Sequence, residues 1–336
     1  ALSRYQASQP AEEIGEVSRR LNSEQFNIVL CGAFQSGKST TFNALCGGRE
    51  LSPVGFGIRT SGCIVKAINL PDPEAEEYAE IHWKSPANLV MGITDLLGSK
   101  LAALAIENDY DLGEAVSLGQ WFKLDDPNHL GWLKQAIAEE FKNWESRRFD
   151  YKAEDLDVLR VAKLIADHAA SEVLQKNLRA KVEKMSVEAA KAYIAFPTGW
   201  NKRWLGGNEA SFTLEEINFL FVQEIKLYLR APHLERLGCV LVDAPGLFAS
   251  SWDTMVAEAA FREADAIFFM FDGSKQFAES DIKILKEIKK SGGDSKVFIG
   301  CNLKGLDLKN TEIVLQASLA HLANVGFEVR DDSVAI

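Results

Sequence analysis

The chain has 336 residues, nearly half of them apolar, enough to bury a large core in one large domain or two. Its formal net charge of −11 argues against a nucleic-acid binder driven by phosphate neutralisation and against unaided adhesion to anionic lipid, while leaving room for local basic patches. Five cysteines (Cys31, Cys46, Cys63, Cys239 and Cys301) have no CxxC spacing and are odd in number, so they read as small core residues of a protein in a reducing compartment. The strongest apolar cluster, AIFFMF at 266–271, is far too short to span a bilayer, and no signal peptide is evident. The chain begins at Ala1 rather than Met and reads as an excised piece.

Residues 9–22 open with Pro10 and carry Ile14, Val17 and Leu21 at helical spacing among charges, which predicts a docked amphipathic helix. The stretch QFNIVLCGAFQSGKSTTFNALC at 25–46 is the one on which the rest is organised. Gly32, Gly37, Lys38 and Ser39 stand there at GxxxxGKS spacing, between an apolar strand and a helix whose Phe42 and Leu45 share a stripe before Gly47 and Gly48 stop it. This is a Walker A phosphate loop in its required setting. Glycine at both ends lets the backbone close on phosphate oxygens, and the amides from Gly32 through Gln35, Ser36 and Gly37 to Thr40 are placed to bind them. Lys38 supplies a point charge to the β- and γ-phosphates, Ser39 offers a hydroxyl to Mg²⁺, and the helix starting near Lys38 turns its positive end to the same anion.

The Pro/Gly-rich half of ELSPVGFGIRTSGCIVKAINLP (50–71) predicts a loop, and Cys63 to Leu70 a strand. In P-loop GTPases this position holds switch I, whose threonine binds Mg²⁺ and helps aim the attacking water. Thr60 is the first choice for that role and Ser61 the second. Arg59 reads as a surface arginine before an internal arginine finger. Tyr78 to Lys84 alternates as an edge strand, expected to close a hairpin on the preceding strand through PDPEAEE, with His82 a strand surface residue; the five histidines show no metal-ligand spacing.

From about 86 to 213 helical patterning dominates. In the long run from Asp155 to Met185, Leu156, Leu159, Ala162, Ile165, Ala169, Val173 and Leu174 trace one apolar stripe. The block is too long for a connection and is expected to pack as a helical subdomain stapled by Trp121, Trp132, Trp144, Trp200 and Trp204. Sheet returns at 214–247: INFLFVQEIKLYL reads as a strand, HLERLG as a turn, and CVLV as a buried strand ending in Asp243-Ala244-Pro245-Gly246. An acid closing an apolar strand before Pro-Gly is the Walker B and switch II pattern, in which Asp243 reaches Mg²⁺ through water and the Gly246 amide meets the γ-phosphate. A helix at 252–263, a strand at 264–271, a helix at 279–290, a strand at 296–302, a helix at 311–323 and a short last strand in SVAI complete the βαβ rhythm of a doubly wound parallel sheet.

GAFQSGKSTTFNALCGG, PVGFGIRTSG and QEIKLYLRAPHLERLGCVLVDAPG together resemble the GTPase domain of dynamin-like proteins, especially bacterial ones. The resemblance implies an α/β P-loop GTPase fold: a doubly wound, mostly parallel sheet with antiparallel edge strands and a large helical insertion. It divides the chain into a leading neck-type helix and linker (1–24), a first GTPase part (25–85), the insertion (86–213), which has no clear match in the family, and a second GTPase part (214–336). It further implies GTP/GDP and Mg²⁺ as ligands, hydrolysis promoted by self-association of GTPase domains, membrane remodelling through regions absent from this chain, no nucleic-acid partner, and a cytoplasmic protein peripheral to a membrane.

Two more departures bear on chemistry. The guanine-reading [N/T]KxD motif is replaced by CNLKGLDL, where Lys304 and Asp307 have the right groups at a spacing one residue too long. Leu247 stands where Ras-like enzymes have a water-orienting glutamine; Gln35, at the loop position that dynamin-like enzymes use instead, can orient water or line the dimer face. These departures leave two competing readings, a nucleotide-gated scaffold with negligible hydrolysis and, more weakly, an ATPase.

Overall fold

The computed structural model describes residues 25–33, 36–52, 63–110, 112, 121–146, 153–168, 171, 176, 182–194, 221–244, 257, 260–275, 279–290, 292, 296–303, 308–327 and 334–335. In chain order they form β1 (Phe26–Cys31), α1 (Lys38–Leu45), β2 (Ile64–Asn69), β3 (Tyr78–Trp83), α2 (Pro86–Glu107), α3 (Pro127–Ser146), α4 (Ala153–His168), β4 (Val182–Met185), α5 (Val187–Ile194), β5 (Val222–Leu229), α6 (Pro232–Leu237), β6 (Cys239–Asp243), β7 (Ala266–Asp272), α7 (Glu279–Lys290), β8 (Val297–Asn302), α8 (Leu308–Val325) and β9 (Val334–Ala335). The strands make one nine-stranded sheet in the order β4-β3-β5-β2-β6-β1-β7-β8-β9.

The sheet has two halves. β6, β1, β7, β8 and β9 are parallel. Beyond β6 the sense reverses: β2 and β5 are parallel to each other and β2 is antiparallel to β6, while β3 and β4 alternate outward.

Period-two alternation sends successive side chains of the central strands to opposite layers, which is why both strands read as unbroken apolar runs. Leu30 of β1 and Leu241 of β6 join a core with α1 to α6, whereas Val29, Cys31, Val240 and Val242 join a second core with α7 and α8. In the first core α3 packs on both α2 and α4, and their buried Leu101, Leu133 and Ile165 are continuous with Val65, Ala67 and Ile225 of the sheet. Trp121 and Trp132 sit with Tyr110 and Phe122 around His129. Trp144 lies on α3, and Trp200 and Trp204 fall outside the described residues, as does the expected helix at 9–22.

Three expectations are corrected. The β2–β3 hairpin does not form, because β5 lies between the two strands. Ala79, Ile81 and Trp83 of β3 pack on the same side as Ile225 and Leu227 of β5, and Tyr78 stacks on Tyr228 with ring centroids 4.4 Å apart. The connection is tied down by Glu77, which pairs with Arg49 at 2.5 Å and accepts the Arg230 N–H at 2.8 Å.

Next, β3 is not an edge strand. α4 ends at His168, and residues 182–185, read as helix, form β4 outside β3. VEKM suits this place: its register sets Lys184 opposite Glu80, and the Lys184 ammonium lies 3.5 Å from the Tyr78 ring centroid. Finally, HLERLG is helix α6 rather than a turn, with Pro232 in its first turn and Gly238 closing it at φ 59°.

Candidate phosphate and metal site

The register of the parallel half brings the Walker elements together. Leu30 pairs with Asp243 and Cys31 with Phe269, so the chain leaving β1 passes between the carboxyl ends of β6 and β7. At Gly32, with φ 143°, a Cβ would lie 1.9 Å from the Met270 carbonyl oxygen. At Gly37, with φ 105°, it would lie 2.7 Å from Asn302 Nδ2. Both glycines are thus demanded by neighbouring protein atoms before any phosphate is considered. Gly37 is also the N-cap of α1 and supplies no side-chain cap, which leaves the first amides of the helix without a side-chain acceptor.

The Lys38 ammonium folds back over the loop and donates to the carbonyls of Gly32 (3.0 Å) and Ala33 (2.9 Å). Ser39 follows on the first turn of α1, with its hydroxyl 3.4 Å from Asp243 Oδ2 at the end of β6. A residue missed by sequence reading completes the group: the Ser52 hydroxyl donates to Asp243 Oδ2 at 2.7 Å and lies 3.1 Å from Ser39 Oγ. Ser52 is held by Asn43 of α1, whose Oδ1 accepts the N–H groups of Leu51 (3.0 Å) and Ser52 (2.8 Å) and whose Nδ2 donates to the Ser52 carbonyl (2.7 Å).

Asn302 was also missed. It closes β8 as Asp243 closes β6, and its side-chain amide donates to the Ser36 carbonyl at 3.1 Å. A polar residue ending an apolar parallel strand was the available signal. For Ser52 and Asn43 there was none, since their meeting depends on how the chain returns after α1.

Asp243 and Ser52 are fully buried. Burial raises the Asp243 carboxyl above the ordinary range, opposed by the hydrogen bond from Ser52, the charge of Lys38 and the hydrogen bond from Ser39. Burial likewise lowers Lys38, opposed chiefly by Asp243. Each ion is partly desolvated, and each gains from an added counter-charge.

Asp243 Oδ1 and the Ser36 hydroxyl are buried with no hydrogen-bond partner among the described residues. An orphaned carboxylate oxygen beside two hydroxyls is the hard oxygen set that magnesium takes, so the residues present fit that ion. Burial also raises the thiols of Cys46 and Cys63 to about 12, and Cys31 further, as befits inert core residues.

Of the residues singled out from sequence, the structure brings Gly32, Ser36, Gly37, Lys38, Ser39 and Asp243 together, and Thr40 lies exposed on α1. Gln35, Arg59, Thr60, Ser61, Gly246, Leu247, Lys304 and Asp307 fall outside the described residues. His82 sits on the strand surface, with Nε2 3.4 Å from Glu80 and Nδ1 3.9 Å from Glu224. Among the described residues no helix is long and apolar enough to cross a membrane.

Comparison with known proteins bears on the same residues. The profile of the dynamin family matches residues 28–303. Dynamin-like protein A of Bacillus subtilis (strain 168) is 24% identical over 305 residues, covering 88% of this chain and 20% of that protein. The chain therefore spans about a fifth of the length of this relative. Two solved chains of an oligomerised bacterial dynamin pair, described as a mechanism for long-range sensing and tethering of membranes, align with TM-scores of 0.46 and 0.43 at 13% and 14% identity. They cover 96% of this chain and 40% and 39% of their own. The family match runs from β1 through β8 and takes in the phosphate loop, the strand-end aspartate and Asn302: the chain belongs to the dynamin family, a family of GTPases.

Proposed function

We propose that this chain binds GTP with Mg²⁺ and hydrolyses it, that self-association of the domain promotes turnover, and that the longer protein uses the cycle to remodel or tether membranes. The observation that carries the reading is the meeting of Lys38, Ser39 and Asp243 at adjoining strand ends, with Ser39 Oγ 3.4 Å from an Asp243 carboxylate that has one oxygen to spare.

When bound, magnesium neutralises charge on the β- and γ-phosphate oxygens. Ser39 and Asp243 would hold it, with Thr60 completing the set. The loop amides from Gly32 to Thr40 bind phosphate oxygens, and the uncapped start of α1 favours the same anion. Lys38 exchanges its contacts with the Gly32 and Ala33 carbonyls for phosphate oxygens, which gives its ammonium the counter-charge that burial withholds. Gln35 and the Thr60 carbonyl aim a water in line with the γ-phosphorus, and the Gly246 amide meets the γ-phosphate. Lys304 and Asp307 read the guanine, and Asn302, shortly before them in the chain, ties the end of β8 to the Ser36 carbonyl. The helices α2, α3 and α4, which lie between β3 and β4 in the chain, would carry partner contacts.

Lys38→Ala is expected to lower GTP turnover at least about 100-fold, since a charge-assisted contact to the transferred group is lost. Turnover per molecule should rise with protein concentration; flat specific activity over a wide dilution series would remove the self-association clause. The irregular CNLKGLDL motif and Leu247 favour the scaffold reading instead, and a single-turnover assay separates the two, because a scaffold releases intact GTP.

A further inference from the structure

We infer that Ser52 is a positioning residue of the metal site: its hydroxyl relays between the Ser39 hydroxyl and the Asp243 carboxylate and holds both in the geometry that binds a divalent cation. The inference rests on the phosphate and metal reading above and extends it to a residue outside the phosphate loop and both Walker motifs.

Ser52 carries one hydroxyl proton. The shorter contact, 2.7 Å against 3.1 Å, gives that proton to Asp243 Oδ2 and leaves the Ser52 lone pairs facing Ser39 Oγ. When Ser39 lends a lone pair to a cation, its own proton needs an acceptor, and Ser52 Oγ lies nearer than Asp243 Oδ2, at 3.1 Å against 3.4 Å. One group must therefore accept on one side and donate on the other, which a hydroxyl does and a methyl cannot.

The rest of the setting supports a built site. Ser52 is fully buried, and the Asn43 side chain fixes its backbone by accepting its N–H and donating to its carbonyl, while also accepting the N–H of Leu51. The other oxygen of Asp243, buried and without a hydrogen-bond partner among the described residues, is open to the cation's hydration shell. Ser52 precedes Pro53, which biases it to extended backbone.

The test is Mn²⁺ binding, followed by electron paramagnetic resonance on GDP-loaded protein, for wild type, Ser52→Ala, Ser52→Cys, Ser52→Thr and Ser39→Ala. Ser52→Ala and Ser52→Cys should bind Mn²⁺ about tenfold more weakly, the usual effect of losing an outer partner of a metal ligand, while Ser52→Thr stays within about threefold of wild type. Ser52→Cys nearly keeps the side-chain volume, so it answers the question even if Ser52→Ala fails to fold. Wild-type Mn²⁺ affinity in Ser52→Cys or Ser52→Ala, with Ser39→Ala impaired, overturns the inference and spares the metal site. A loss in Ser52→Thr equal to that in Ser52→Cys also overturns it. Wild-type affinity in Ser39→Ala overturns the metal site and this inference with it.

Discussion

The two halves of the sheet differ in what their polar residues do. In the parallel half, every strand delivers its carboxyl end to the same edge, and Gly32, Lys38, Asp243 and Asn302 meet there within a few residues of strand termini. In the other half β3 runs against β5, so strand ends do not converge. Its polar residues pair along one face instead: Lys66 with Glu224 at 2.7 Å, Lys226 with Glu224 at 3.3 Å, and the Tyr228 hydroxyl donating to Glu80 at 3.2 Å.

Both halves also bury polar atoms that lack hydrogen-bond partners among the described residues, of different kinds. Asp243 Oδ1 is a charged acceptor at a strand end, whereas the indole nitrogens of Trp83 and Trp121 lie among packed side chains. Topology more than composition therefore decides where chemistry collects.

The largest effect should come from Gly32→Ala. A Cβ 1.9 Å from the Met270 carbonyl oxygen forces β1 and β7 apart, and the expected loss is about 4 kcal/mol or outright failure to fold. Gly47→Ala, at φ 90° but with nothing within 4 Å, should cost only about 1–2 kcal/mol. Denaturant melts of the two variants compare strand packing with backbone strain; equal losses would break the distinction.

His129 of α3 probes the helical layer of the first core. Its side chain is fully buried, Nδ1 accepts the Lys123 N–H at 3.0 Å, and burial lowers its pKa, with Asp126 and Asp125 opposing and Lys123 adding to the shift. A lowered value means that the unfolded chain takes up the proton first. The contribution is complete above the ordinary histidine pKa of about 6.5 and declines as pH falls below it, by at most about 1.4 kcal/mol per pH unit. His129→Leu should be less stable at pH 7, because Lys123 N–H loses its acceptor, yet show a shallower acid limb; an unchanged limb would refute the assignment. The smallest effect should be that of Tyr228→Phe, which keeps the stack on Tyr78 and loses the bond to Glu80, about 0.5–1.5 kcal/mol of stability with GDP affinity unmoved.

The parallel half was legible because its signals are local. An apolar run, a glycine-spaced loop and a strand-ending acid each sit within a few residues, and their order implies adjacency. The other half was misread where pairing is long-range: nothing in residues 64–84 announces that β5, more than 130 positions later, separates β2 from β3. β4 was lost to helical patterning because four residues carry too short a period to outvote the run before them, and its pairing with Glu80 and Tyr78 is tertiary. α6 was misread despite Pro232 and Gly238, whose placement marks a helix of a turn and a half. Ser52 was read as part of a loop, since its hydroxyl gains a role only when Asn43 draws the chain back over α1.

Binding of GDP to wild type and Asp243→Asn, titrated by calorimetry with and without Mg²⁺, probes the phosphate and metal site most directly. Magnesium should tighten wild-type binding at least about tenfold and change Asp243→Asn little, since the amide keeps the shape of the carboxylate without its charge. Equal tightening in both proteins, or none in the wild type, would contradict a cation held between Ser39 and Asp243.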